Sequence, residues 1–130
     1  MGKKSSEELG AGEILLTDVD REGTGCGFDT KLVKTLSSAL SIPLIACGGP
    51  KNLEHILEVI SQGEADAVAL SSMLHYACLR RKEISPTANG EGNIAFMSSG
   101  QEHTKFKGVV SISDIKKHLL DNKIPCRYEN

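Results

Sequence analysis

Pro43-Leu44-Ile45-Ala46-Cys47-Gly48-Gly49 is the most telling stretch of this chain. Five residues, nearly all apolar, run straight into two glycines. An apolar run that is short and continuous rather than alternating reads as a strand covered on both faces, as strands are in parallel sheets. Two runs of the same kind flank it, Ile14-Leu15-Leu16-Thr17-Asp18-Val19 and Ala67-Val68-Ala69-Leu70. Each gives way to turn residues: Gly23 to Gly27 after the first, Gly48-Gly49-Pro50 after the second, Ser71-Ser72 after the third.

Helical periodicity fills the gaps. Leu32, Val33, Leu36 and Leu40 form one apolar stripe, with Asp29 or Thr30 as its N-cap. Leu53, Ile56, Leu57 and Ile60 form a second, with Asn52 placed to cap it and Gly63 to close it. A last helix is predicted from Ser113 as N-cap through Ile115, Leu119 and Leu120 to Asn122, and a short one opens the chain, ending at Leu9-Gly10. The order (α)-β-α-β-α-β-…-α predicts an α/β fold with right-handed crossovers. From residue 77 to 108 the chain is polar, rich in Gly, Ser, Asn and Lys, and lacks a sustained period. It is expected to be an exposed loop or disordered insertion.

The whole chain, 130 residues, is expected to form a single domain. At that length about 65–70% of the unfolded surface is buried. Lys plus Arg is 15 and Asp plus Glu 17, a net charge of −2, so no basic excess points to nucleic acid. No apolar run approaches the roughly 20 residues of a membrane span. The charged start of the chain lacks the apolar segment of a secretory signal. Cys26, Cys47, Cys78 and Cys126 show no C-x-x-C pair, which favours reduced thiols and a cytoplasmic setting. No Cys or His stands at ligand spacing from another, so no metal site is expected, and no cofactor either.

Strand carboxyl ends carry ligand groups in parallel α/β proteins. Here they supply Asp18, Asp20, Arg21, Glu22, Gly23 and Thr24, then Gly48 and Gly49, then Ser71 and Ser72. Asp18 and Asp20, two apart on a strand, would share a face and could divide acid and base roles; the alternative is a pair of solvated carboxylates at a strand's exit. Gly48-Gly49 allows close backbone approach to a ligand, and Ser71-Ser72 offers N–H groups and hydroxyls at a strand-to-helix turn. Together they fit a phosphate; Gly-Gly alone also occurs as a plain turn. His55, His75, His103 and His118 read as structural or solvated, Met73-Leu74 as core packing, and Arg80-Arg81-Lys82 as a solvated run with too few aromatics nearby for nucleic-acid stacking.

Several ordered motifs then resemble a known family. Gly10-Ala11-Gly12-Glu13-Ile14-Leu15-Leu16-Thr17, Asp20-Arg21-Glu22-Gly23-Thr24, Gly27-Phe28-Asp29, Pro43 to Gly49, Glu54-His55, Ala65-Asp66-Ala67 and Ser72-Met73-Leu74-His75 resemble the cyclase subunit of imidazole glycerol phosphate synthase. Ile115 to Arg127 looks like that family's last helix and tail. The resemblance covers roughly residues 5–76 and 109–127 and implies a partial (β/α)8 TIM barrel, its last three βα units, with a polar insertion before the final helix. A complete barrel takes ~250 residues.

The activity so implied belongs to histidine biosynthesis: a lyase-type cyclase takes ammonia from a glutaminase (glutamine amidotransferase) partner and closes the imidazole ring on a phosphorylated ribulosyl-ribonucleotide. By the same resemblance Thr17 and Asp18 line the site, and Glu22, Gly23, Gly48, Gly49, Ser71 and Ser72 hold one substrate phosphate. Glu13 matches a charged ring at the barrel's bottom where ammonia enters. The family's two catalytic aspartates lie on its first and fifth strands, outside the matched units. Asp18 replaces a usual small hydroxyl residue, Cys47 a usual serine, and Gly48-Gly49-Pro50-Lys51 a usual Gly-Gly-Ala-Gly. These changes resemble a divergent branch in which a barrel works with an amidotransferase in surface-sugar amidination. A sister isomerase of the same pathway shares the style of the first strand end but matches less well at Glu54-His55 and His75. A non-catalytic phosphate-binding or scaffolding half-barrel is a further reading. Three strands leave two open sheet edges, which predicts association with a missing N-terminal half or a homo-oligomer.

Overall fold

The structure, a computed structural model, describes residues 6–80 and 110–127. Its three strands are β1 (Ile14–Thr17), β2 (Leu44–Cys47) and β3 (Ala67–Ala69). The helices are α1 (Thr30–Ser37), α2 (Leu53–Ser61), α3 (Ser72–Arg80) and α4 (Ile112–Asp121). A further helical turn at residues 6–8 leads into Leu9 and Gly10.

The sheet runs β1-β2-β3 in chain order and both pairings are parallel. Ile14 pairs with Leu44, Thr17 with Cys47, and Cys47 with Ala69. Val33 and Leu36 of α1 and Val59 of α2 enter one buried cluster with Leu44 and Ala46 of β2. Both crossover helices therefore cover the same face. Sequential parallel strands with helices on one face wind in a single direction, as in a (β/α)8 barrel. The architecture is α/β, with three consecutive βα units of barrel type. The last helix, α4, packs outside α2 and α3 through a second cluster of Ile56, Met73, Ile115 and Leu119.

Local chemistry sets the boundaries. The Asp29 carboxylate accepts from Leu32 N and the Asn52 amide oxygen from His55 N, so these two residues cap α1 and α2 as the sequence predicts. The cap of α4 is Ser111 rather than Ser113: Ser111 Oγ accepts from Asp114 N while the Asp114 carboxylate accepts from Ser111 N at 2.8 Å. That reciprocal pair is a capping box, which Ser113 has no partner to make. Beyond α2 the left-handed residue is Glu64 at φ 56, not Gly63. Gly63 serves a different need, since a Cβ there would sit 2.4 Å from Val59 O. Asp66 ties β2 to the loop before β3: its carboxylate accepts from Leu44 N at 2.8 Å, and its own N–H donates to Leu44 O. α3 runs to Arg80, so residues 77–80 of the expected polar stretch are helical. Its remainder, with Arg81, Lys82 and His103, lies outside the described residues.

Candidate phosphate-binding cleft

The carboxyl ends of the three strands meet around an open cleft of about 240 Å³, which includes open solvent. Glu22 and Gly23 come from the loop after β1, Gly48, Gly49 and Pro50 from the loop after β2, and Ala69 to Met73 from the end of β3 and the start of α3. All six residues expected to hold phosphate (Glu22, Gly23, Gly48, Gly49, Ser71 and Ser72) line this one cleft.

Backbone geometry makes the approach possible. Gly48 and Gly49 have φ of 104° and 102°, in the left-handed region where a Cβ is strained. The space is also taken: a Cβ on Gly48 would lie 2.8 Å from Asp18 O, and one on Gly49 would lie 2.2 Å from Gly27 O. Across the cleft, His75 N donates to Ser71 O at 2.9 Å, so the first turn of α3 starts at Ser71-Ser72. First-turn N–H groups of a helix have no partner within it and carry its positive dipole end. Among the described residues Glu22 is the only charged side chain on the cleft wall. The recognition this wall offers is therefore mainly backbone N–H and serine hydroxyl, the donors that suit a phosphate.

The loop after β1 departs from expectation at Asp18. β1 ends at Thr17, and Asp18 turns the chain: its Oδ1 accepts from Asp20 N at 3.1 Å and Arg21 N at 3.3 Å. Its Oδ2 lies 3.3 Å from Arg21 Nε. Asp18 and Asp20 are thus not side by side on one strand face. Asp18 and exposed Thr17 do not line the cleft. Local side chain-to-backbone bonding has overridden strand alternation here. Glu13 is exposed just before β1, at the opposite end of the sheet.

Three features escaped the sequence reading. Pro50 and Met73 line the cleft, although Met73 is also buried in the second core cluster. Gly27 N donates to Gly49 O at 2.8 Å, joining the loops after β1 and β2. Gly27 itself, at φ 90°, lies against His55: a Cβ would approach His55 Nδ1 to 3.2 Å. The available signal was glycine itself at position 27, the residue that takes a positive φ without strain. The His55 imidazole is held below its ordinary value of 6.5, first by burial and then by the Lys51 cation, against an opposing pull from Glu58. His118 Nε2 lies 3.2 Å from Glu54 Oε1, without hydrogen-bond geometry, and links α4 to α2. His75 is exposed and meets Tyr76 edge-on.

Among the described residues no group of three His, Cys, Asp or Glu side chains is placed to hold a metal ion, and no helix is long and apolar enough to cross a membrane. Cys26, Cys47, Cys78 and Cys126 are free thiols.

Comparison with known proteins adds to this geometry. A family model described as histidine biosynthesis protein matches residues 3–80. Over 89 residues the chain is 47% identical to imidazole glycerol phosphate synthase subunit HisF of Leptospira biflexa serovar Patoc, covering 68% of this chain and 35% of that protein. It is 52% identical over 81 residues to the same subunit of Prochlorococcus marinus strain MIT 9515, covering 62% of this chain and 32% of that one. The chain thus spans about a third of the length of the curated relatives it matches.

Proposed function

We infer the function from one premise: this chain belongs to the histidine biosynthesis protein family, whose model matches residues 3–80. We propose that it supplies the last three βα units of a cyclase of the imidazole glycerol phosphate synthase type. In that role it binds one phosphate end of the ribulosyl-ribonucleotide substrate. The observation that carries this reading is the convergence of Glu22, Gly23, Gly48, Gly49, Ser71 and Ser72 on one cleft at the strand carboxyl ends. Gly48, Gly49, Ser71 and Ser72 supply backbone N–H groups and hydroxyls to the phosphate. Exposed Thr17 faces the barrel interior above it.

The chemistry then needs the rest of a barrel. Within this chain Asp18 is engaged by Arg21 and its own turn, so proton transfer is assigned to carboxylates of the other units. Glu13 lies at the far end of the sheet, where it suits a ring admitting ammonia from a glutaminase subunit. The free thiols suit a reducing, cytoplasmic setting.

A test combines this chain with the N-terminal (β/α)5 segment of the Leptospira subunit. Ammonia-dependent ring closure by the reconstituted barrel is expected. A complete, folded barrel without turnover would overturn the cyclase reading. The engagement of Asp18 by Arg21 and its own turn also fits a second reading, a non-catalytic phosphate-binding module. Under it, inorganic phosphate raises the melting temperature of the chain and Gly49→Asp abolishes the effect, while the assembled barrel stays inactive.

A further inference from the structure

Both cleft glycines are hemmed in by the loop after β1. A Cβ on Gly48 would meet Asp18 O at 2.8 Å and Glu22 Oε2 at 3.2 Å; one on Gly49 would meet Gly27 O at 2.2 Å and Arg21 Cβ at 3.2 Å. The same loop residues are bonded to one another. Arg21 Nε lies 3.3 Å from Asp18 Oδ2, and Arg21 Nη1 donates to Gly27 O at 3.4 Å. Gly27 N in turn donates to Gly49 O at 2.8 Å. Asp18, Arg21, Gly27 and Gly49 are thus joined in series beside one wall of the cleft, and Asp18 N donates to Cys47 O at 3.1 Å, next to Gly48. Thr24 Oγ1 donates to Arg21 O at 2.7 Å, a further bond within the same loop.

Arg21 is a cation beside a candidate anion site, yet it does not line the cleft. Its guanidinium is directed to the Asp18 carboxylate and the Gly27 carbonyl. A planar fork can serve two acceptors at once, which a lysine ammonium on a flexible stem cannot do with the same geometry. We propose that Arg21, anchored by Asp18, is a positioning residue: it sets Gly48 and Gly49 for phosphate through Gly27 and does not touch the anion. This rests on the phosphate-cleft reading above and adds the element that fixes the cleft's width.

Charge and geometry make opposite predictions, which makes the test sharp. Asp18→Asn removes a negative charge near an anion site while keeping an oxygen to accept from Asp20 N and Arg21 N. Electrostatics alone would tighten phosphate binding. The clamp predicts that inorganic phosphate, titrated into the full chain by calorimetry, binds about tenfold more weakly, since small misplacements of binding groups carry factors of that order. Arg21→Lys, which keeps the charge, is expected to lose as much. Amide hydrogen exchange of Gly27, followed by NMR, is expected to quicken about tenfold in both variants while Leu44 and Val59 stay protected, a pattern that general destabilisation would not produce. Unchanged or tighter phosphate binding in Asp18→Asn, or full binding in Arg21→Lys, would overturn the proposal. If the wild-type chain binds no phosphate, the cleft reading itself is lost and Gly27 exchange decides the clamp: faster exchange in the variants upholds it, unchanged exchange overturns it.

Discussion

Leu44 and Ala46 are 0% and 1% exposed on one face of the sheet, while Leu15 on the other is 59% exposed. The covered face carries Ile14, Leu16, Leu44, Ala46 and Val68 against α1 and α2. The open face carries Leu15 and Thr17, Ile45 and Cys47, Ala67 and Ala69, placed side by side by the register. The strands are the same, and their apolar content is similar on both sides. What differs, among the described residues, is whether a second layer is present. An apolar face of this kind is stable only against another layer, and in a barrel that layer is the opposite wall. The contrast identifies which half of the fold this chain completes by itself.

The largest effect expected from breaking the contrast is on the covered face. Leu44→Ala is expected to destabilise the chain by about 3 kcal/mol, within the range for fully buried leucines, as read by urea unfolding. Leu15→Ala, the same change on the open face, is expected to shift stability by less than about 0.5 kcal/mol in the chain alone. Once the chain is assembled with an N-terminal (β/α)5 segment, Leu15→Ala is expected to weaken that assembly measurably. Equal losses for Leu44→Ala and Leu15→Ala in the chain alone would erase the contrast.

Ser111→Ala tests the outer layer on the covered side. Removing the capping hydroxyl of α4 is expected to cost about 1 kcal/mol, seen as a lower urea midpoint with an unchanged slope. Ser113→Ala, two residues along, is expected to do nearly nothing.

The smallest effect is a pH dependence at the seam between α2 and the loop after β1. The folded chain holds His55 below its ordinary value, so the unfolded chain binds the extra proton first as pH falls. Stability is therefore expected to rise with pH from the depressed value up to about 6.5 and to be lost on acidification through that window. His55→Gln should flatten the slope there. A slope of the opposite sign would contradict the desolvation argument.

The expected strands, the first two caps and the cleft residues were legible because each rests on short-range chemistry. Apolar runs, Asx caps and glycine pairs act within a few residues. Errors fell where two local options competed. Ser111 and Ser113 are both serines before the same helix, and only the Asp114 partner selects between them. Gly63 looked like the left-handed terminator, but Glu64 takes that conformation, and glycine is needed at 63 because a Cβ there would meet Val59 O at 2.4 Å. Asp18 looked like strand because the apolar run reaches Val19, yet its carboxylate holds the N–H groups of Asp20 and Arg21 and ends the strand early.

By itself the sequence determined the βα order, the parallel sheet and the residues at each strand's carboxyl end, because periodicity and turn chemistry are local and each element is specified by its own residues. Only the tertiary structure showed that the Arg21 fork joins Asp18 to the Gly27 carbonyl, that the Gly27 N–H reaches Gly49, and that no helix among the described residues covers the sheet face bearing Leu15. The Gly27–Gly49 contact and the exposed sheet face depend on segments tens of residues apart sharing one volume, and whether groups then meet within bonding distance is a property of packing that no short-range pattern encodes.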